Sequence, residues 1–188
     1  MEAILRVLGI AGSLRAGSFN RSLLRAAQEL APPGMEITAF DLAPIPLYNA
    51  DVEAKGDPEP VTALKAAIRQ ADALLFVTPE YNFGVPGVLK NAVDWASRPP
   101  RDSALKGKPA AIMGATLGTG GTGRAQMQLR QAFVFTQTHA LVSPEVLVAR
   151  AQDKFDASGR LTDEPTRKSV GKLLEALADW APRFKPKA

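Results

Sequence analysis

The chain has 188 residues, of which 46% are hydrophobic, and this is enough to bury the core of one domain of ordinary size. It contains no cysteine, which excludes disulfides, thiolate nucleophiles and cysteine-ligated metal sites. The net charge of +4 suits phosphate-bearing small molecules, and its one local basic cluster, Arg183, Lys185 and Lys187, lies in a proline-broken tail. We therefore expect no nucleic-acid partner.

The N-terminus, Met1 to Leu5, runs directly into a short apolar stretch. It has no basic leader, and no apolar run approaches the roughly 20 residues that a membrane-spanning helix needs. These features predict a cytoplasmic protein that does not interact with a membrane.

Five short apolar runs alternate with five segments whose apolar residues recur at the three- and four-residue spacing of a helix. The predicted strands are Ile4–Ala11, Met35–Leu42, Ala73–Thr78, Ala110–Ala115 and Leu141–Val148. The apolar residues with helical spacing lie within Leu23–Leu30, Leu64–Ala71, Leu89–Ala96, Arg124–His139 and Val170–Ala181, and each of these segments is predicted to be part of a helix. The stretch Pro44–Pro60 is rich in proline and glycine, and we expect a long loop there.

This alternation predicts an α/β fold, a doubly wound parallel sheet with helices on both faces. No change in composition marks a boundary, so we expect a single domain over residues 1–188. Ligands of such sheets bind beyond the carboxyl ends of the strands. The segments to examine for chemistry therefore follow the first, third and fourth predicted strands.

The loop Gly12–Asn20 has the composition of a phosphate site. Ser13, Ser18 and Asn20 carry short donor side chains, and Arg15 carries a planar charged group that suits phosphate oxygens. A helix predicted to begin near Ser18 points free backbone N–H groups at the same spot. The alternative is that Ser18 only caps the helix while the glycines only turn the chain.

The loop Thr78–Gly87 combines prolines and glycines with aromatic and amide side chains. Tyr81 and Asn82 suit a flat heteroaromatic ring, because such a ring takes apolar contact on its faces and amide groups at its polar edge. Glu80 is a possible proton relay. Alternatively, Tyr81 and Phe83 fill the core, Asn82 is a turn residue and Glu80 forms a salt bridge.

The segment Thr116–Gly123 contains a literal G-x-G-x-x-G at Gly118, Gly120 and Gly123. Only one strand and one helix follow it, too few for a dinucleotide-binding unit. A flexible lip beside the ring, with Thr116 and backbone amides near it, is the better interpretation. A terminal phosphate at one loop and a flat ring at two others together indicate FMN.

Three segments resemble the NAD(P)H-dependent FMN reductases, including the chromate and quinone reductases. They are Gly-Ser-Leu-Arg-x-Gly-Ser-Phe-Asn at 12–20, Pro-Glu-Tyr-Asn at 79–82 and Pro-Gly-x-Leu-Lys-Asn-Ala-x-Asp-Trp-x-Ser-Arg at 86–98. The resemblance implies a flavodoxin-like fold of strand order 2-1-3-4-5, bound FMN, NAD(P)H as co-substrate, and a homodimer or homotetramer.

The resemblance also assigns residues. Those it implies for cofactor binding are Ser13, Arg15, Ser18, Phe19, Asn20, Pro79, Glu80, Tyr81, Asn82 and Thr116. Ser13, Arg15, Ser18 and Asn20 match the phosphate site, and the residues from Pro79 to Asn82 match the isoalloxazine site. Thr116 lies on the third flavin loop. Arg124 and Glu145 match positions of subunit contact in some relatives. Met127 stands where those relatives can have a tyrosine.

No acid–base pair is required, because a flavin carries the chemistry. His139 is the only histidine, and at a predicted helix end it suits a structural role better than catalysis or metal binding. Trp95 suits packing. The consecutive residues Phe133, Val134 and Phe135 cannot all face one side of a helix, which hints at an oligomer.

We expect a reductase in which NAD(P)H reduces FMN and the flavin then reduces a quinone or another small acceptor, such as chromate, an azo dye or free flavin. The main alternative is an electron carrier of the flavodoxin type, although such carriers tend to be strongly acidic and this chain is basic. A third is a nucleotide-binding module without flavin.

Overall fold

The computed structural model describes residues 4–184, so Lys185, Lys187 and residues 1–3 lie outside it. The strands are β1 (Leu5–Ala11), β2 (Met35–Phe40), β3 (Ala73–Val77), β4 (Pro109–Ala115), β5 (His139–Ala140) and β6 (Val146–Val148). The helices are α1 (Phe19–Glu29), α2 (Ala50–Glu53), α3 (Glu59–Gln70), α4 (Gly87–Ala96), α5 (Gly123–Thr136) and α6 (Glu164–Trp180). Short 3-10 turns occur at Pro100–Asp102, Ala151–Asp153 and Ala181–Phe184.

The strands form one parallel sheet in the order β2-β1-β3-β4-β5, which confirms the predicted flavodoxin-like order. The fifth position is not the single strand predicted at Leu141–Val148. Instead β5 pairs with the start of β4, and β6 pairs with its end. Pro144 lies between the two, and a proline has no N–H to donate to a strand ladder.

Helices cover both faces of the sheet, as predicted. On one face α1 and α6 pack through residues such as Leu23 and Leu174. On the other face α3, α4 and α5 pack through Leu64, Leu89 and Leu129. Adjacent strand residues point to opposite faces, so the central strands β1, β3 and β4 contribute apolar side chains to both clusters.

The segment between β2 and α3, residues 41–58, is called the strap. It is not the structureless loop predicted at Pro44–Pro60, because it contains α2 and because α3 begins at Glu59. The Trp95 indole donates to the Pro46 carbonyl at 2.8 Å, and the Tyr48 N–H donates to Asn91 Oδ1 at 2.8 Å. Trp95 is fully buried, which confirms its packing role.

His139 does not lie at a helix end. Helix α5 ends at Thr136, and Gln137 in the left-handed conformation turns the chain into β5. The His139 ring stacks on Phe184 at a centroid distance of 4.0 Å, and its carbonyl accepts a hydrogen bond from the Trp180 indole. These contacts hold the C-terminal turn against the sheet edge.

None of the helices within residues 4–184 is long and apolar enough to cross a membrane. In the same range, no three His, Asp or Glu side chains are grouped so that they could hold a metal ion.

Candidate functional site

The loop between β1 and α1 packs closely against the rest of the carboxyl edge of the sheet. The Gly12 N–H donates to the Val77 carbonyl at 2.9 Å. A Cβ on Gly12 would lie 2.9 Å from Leu89 Cδ2 and 3.3 Å from Pro79 Cδ, so a larger residue there would have to displace the Leu89 side chain. The first loop therefore touches the start of the loop that follows β3.

Ser18 caps helix α1, as the alternative interpretation expected. Its Oγ accepts hydrogen bonds from the N–H groups of Asn20 at 3.2 Å and Arg21 at 3.4 Å. Both bonds use the hydroxyl as an acceptor, so its hydrogen is left to donate to a ligand at the helix N-terminus. Capping and phosphate binding are therefore compatible. Ser13 is buried in the same loop, and Arg15 is exposed.

The Asn20 side chain is buried and bound to the backbone of β4. Its Nδ2 donates to the Ala115 carbonyl at 2.8 Å, and its Oδ1 accepts from the Ala115 N–H at 2.9 Å. Asn20 thus joins the start of α1 to the end of β4, directly before Thr116. No local sequence pattern signals a pairing between residues so far apart in the chain.

The loop after β3 contains a two-residue reverse turn. Tyr81 and Gly84 exchange two backbone hydrogen bonds of 3.0 Å, and the central residues Asn82 and Phe83 have φ values of 50° and 64°. This is the pattern of a type I′ turn. The conformation is common for Asn and rare for Phe. Asn82 is a turn residue, whereas Tyr81 and Phe83 are 49% and 70% exposed and do not fill the core.

Glu80 forms the predicted salt bridge and also binds backbone N–H groups. Its Oε1 lies 3.4 Å from Arg124 Nη1, and its Oε2 accepts from the N–H groups of Arg124 at 2.9 Å and Ala125 at 3.1 Å. The Arg124 guanidinium lies 4.1 Å from the centroid of the Phe83 ring, a cation–π contact. The loop after β3 is therefore fastened to the first turn of α5.

The glycine-rich segment after β4 is held by its backbone. The Thr116 N–H donates to Val148, and the Thr116 carbonyl accepts from Ala151. Gly121 has φ 56°, and a Cβ there would lie 2.7 Å from Leu147 Cβ. The first-turn N–H groups of α5 already bind Glu80, whose carboxylate would also repel a pyrophosphate. This arrangement counts against a dinucleotide site at G-x-G-x-x-G.

A cleft of about 780 Å³ opens between the second and third loops, within the usual size of a small-molecule site. Its lining residues are Glu80, Asn82, Phe83, Thr116, Gly118, Thr119, Gly120 and Arg124. Of the predicted cofactor residues, Glu80, Asn82 and Thr116 line this cleft. Ser13 lines a separate cavity of about 220 Å³ between α1 and β2, and Phe19 packs against Phe155.

The three loops together offer the contacts that FMN requires. The cleft presents a side-chain amide at Asn82, a hydroxyl at Thr116 and backbone amides of the glycine-rich segment. The N-terminus of α1 presents Ser18 with a free donor hydrogen, beside the charged Arg15. A polar-edged ring with a phosphate tail fits this combination of donors and acceptors.

Comparisons with known proteins agree on one family. The family model described as NADPH-dependent FMN reductase matches residues 5–153. The chain is 53% identical to the NAD(P)H-dependent FMN reductase of Pseudomonas aeruginosa, over 98% of this chain and 100% of the relative. It is 43% identical to the quinone reductase of Escherichia coli K12, again over 98% and 100%.

A solved structure has the same fold over nearly its whole length. FerB, a flavoenzyme NAD(P)H:(acceptor) oxidoreductase from Paracoccus denitrificans, superposes with a TM-score of 0.88 at 36% sequence identity. The match covers 96% of this chain and 99% of FerB.

Proposed function

The chain belongs to the NADPH-dependent FMN reductase family, and from that premise we propose how its own residues serve the reaction. It is an FMN-dependent oxidoreductase that takes electrons from NAD(P)H. Bound FMN supplies the hydride and electron chemistry, while the protein supplies binding, orientation and electrostatics. The acceptors are quinones or other small molecules, which alternate with the nicotinamide in one open cleft.

The observation that carries the residue assignment is the direct contact between the phosphate loop and both ring loops. Gly12 lies against Pro79, and Asn20 binds the residue before Thr116. Ser13, Arg15 and Ser18 hold the phosphate at the N-terminus of α1. Phe19 and Asn20 place that helix relative to the sheet.

The loop Pro79–Asn82 and the segment that begins at Thr116 would hold the isoalloxazine ring. The left-handed conformation of Asn82 presents its amide to the cleft, where it can both donate to and accept from the polar edge of the ring. Tyr81 is half exposed beside it and supplies an aromatic surface. Arg124 adds a positive charge at the mouth of the cleft, which suits the phosphates of NAD(P)H.

The test is anaerobic mixing of the purified yellow protein with NADPH and, separately, with NADH. We expect the flavin absorbance to bleach within seconds and to recover when a quinone is added. A yellow protein that does not bleach with either nucleotide would instead be a carrier of the flavodoxin type, and a colourless protein that takes up no added FMN would contradict the flavin assignment. A steady-state panel of quinones, azo dyes, chromate and free FMN then ranks the acceptors.

We also propose that the protein is a homodimer or homotetramer that associates through α5. Phe133 is buried, whereas Met127, Val134 and Phe135 are between 62% and 80% exposed on the outer side of the helix. A second copy is the occupant that fits, because three large apolar side chains on one helix face can pack against the same three side chains of a second copy in a self-complementary interface. Light scattering of Val134→Asp should show a smaller particle than wild type. An unchanged mass would contradict this interface.

The proposed location is the cytoplasm, where a reductase of this kind meets its nicotinamide co-substrate, and cell fractionation with activity staining checks it. The whole chain is proposed to act as one flavin-binding domain. Limited proteolysis that released two independently folded pieces would contradict this.

A further inference from the structure

Helix α5 begins without a cap of its own. The residue before it, Thr122, has a left-handed backbone with φ 68°, and its hydroxyl accepts from the Gln126 side chain at 3.2 Å and not from a backbone N–H of the first turn. The free N–H groups at a helix start need acceptors, and negative charge is favoured there. Glu80 supplies both, because its Oε2 accepts from the N–H groups of Arg124 at 2.9 Å and Ala125 at 3.1 Å.

A second contact fastens the other side of the Tyr81–Gly84 turn to the same helix. Gln128 Oε1 accepts a hydrogen bond from the Val85 N–H at 2.6 Å. The turn is thus bound to α5 on both sides, by Glu80 before it in the chain and by Val85 after it. The Glu80 side chain is only 11% exposed, so water competes little for these bonds.

We infer that Glu80 is a positioning residue that acts through α5, and neither a direct flavin ligand nor a proton donor. This inference rests on the proposed function. Oε2 is occupied by two backbone N–H groups, and Oε1 faces the Arg124 guanidinium. The carboxylate joins the loop after β3 to the helix that follows the glycine-rich segment, and so sets the width of the cleft between them.

The contacts of Glu80 with α5 also predict its effect on FMN affinity and on turnover. A ligand's apparent affinity falls in proportion to the fraction of protein whose site is already formed. Removing a helix cap typically shifts a local equilibrium by about tenfold. We therefore expect Glu80→Ala to raise the Kd for FMN by up to about tenfold, with turnover at saturating FMN reduced much less.

The experiment compares Glu80→Ala and Glu80→Gln with Glu164→Ala. Glu164 is a matched control, because it is a carboxylate in the first turn of α6 whose side chain is 84% exposed. Amide hydrogen exchange is followed at Arg124 and Ala125, with and without FMN, and FMN affinity is measured by fluorescence titration. We expect faster exchange at these two amides and weaker FMN binding in Glu80→Ala, partial rescue in Glu80→Gln, and neither change in Glu164→Ala.

Arg124→Ala separates the backbone cap from the ion pair, since it removes the guanidinium and keeps the N–H. We expect it to weaken FMN binding less than Glu80→Ala does. Equal losses, or unchanged exchange at the two amides in Glu80→Ala, would overturn the inference. So would a Glu80→Gln enzyme that binds FMN normally but has lost turnover, because that result identifies a proton donor.

A failure of the proposed function gives a different result from a failure of the inference about Glu80. A wild-type protein that binds no FMN removes the reductase assignment, while exchange at Arg124 and Ala125 still decides whether Glu80 caps α5. If Glu80→Ala does not fold, the same comparison between Glu80→Gln and Arg124→Ala decides the question.

Discussion

Asn20 and Ala115 exchange a complete pair of hydrogen bonds across the carboxyl edge of the sheet. The amide Nδ2 donates to the Ala115 carbonyl, and Oδ1 accepts from the Ala115 N–H. The Asn20 amide takes the place of a neighbouring strand, because it hydrogen-bonds the last backbone N–H and C=O groups of β4. The loop between β1 and α1 is therefore tied directly to the end of β4, where the glycine-rich segment begins.

Replacing Asn20 with Ala leaves the buried N–H and C=O of Ala115 without partners. Each unsatisfied group of this kind costs about 1–3 kcal/mol, so for the two groups together we expect the free energy of unfolding to fall by roughly 2–6 kcal/mol. Urea denaturation of the flavin-free protein measures this. Gln28→Ala is the control, because it also removes one side-chain amide bond to a strand carbonyl, but from an exposed residue. Equal losses in the two variants would contradict the special role of Asn20.

Arg15→Ala tests the phosphate assignment directly. A hydrogen bond to a charged group is worth about 1.5–3 kcal/mol, so the Kd for FMN should rise about 10- to 100-fold while thermal stability without flavin stays unchanged. Arg101→Ala is the control, since Arg101 lies in an exposed 3-10 turn that precedes β4, at the opposite edge of the sheet. Fluorescence titration at low and high salt measures both variants. Unchanged flavin affinity in Arg15→Ala would remove it from the site.

Local sequence patterns predict the elements of this fold and the position of its loops, but not the long-range contacts of single side chains. The alternation of strands and helices, and with it the position of the three loops, follows from apolar periodicity. The strand order follows from the resemblance to the FMN reductases, because the handedness of crossovers leaves several orders open. The roles of Asn20 and Glu80 could not be predicted this way, because their partners, Ala115 and Arg124, lie 95 and 44 positions away. The break in the fifth strand could have been predicted, since Pro144 removes a ladder donor.

The strap should loosen in acid because of Glu53. The hydrogen bond from the Tyr48 hydroxyl lowers the pKa of Glu53 below its usual 4.5, and the Arg98 guanidinium also lowers it. The folded state therefore favours the ionised carboxylate. Its contribution to stability is present above about pH 4.5 and is lost as the pH falls through the lowered folded pKa.

Tyr48→Phe removes the largest cause of that shift, so the variant should be less stable near neutral pH and should lose less stability on acidification than wild type. Urea midpoints measured at about pH 7 and pH 3.5 check this. Glu53→Gln is the companion variant, because it has no carboxylate to titrate at this position. An acid-induced loss that is the same in wild type and both variants would show that Glu53 does not contribute to it.

Gly114 and Gly171 should respond to alanine with opposite signs. A Cβ on Gly114, in β4, would overlap the Thr122 hydroxyl and the Thr78 carbonyl, whereas a Cβ on Gly171, inside α6, would meet nothing within 4 Å. Gly171→Ala should stabilise the protein by up to about 1 kcal/mol, because alanine is the better helix former. Gly114→Ala should destabilise it by about 3 kcal/mol, because one of the overlapping atoms is backbone and cannot rotate away.

Thr122 directly precedes α5, so Gly114→Ala should also weaken FMN binding while Gly171→Ala does not. Thermal unfolding measures the change in stability, and FMN titration measures the change in affinity. A Gly114→Ala protein with wild-type stability would show that Thr122 moves freely and that the glycine-rich segment is not held as described.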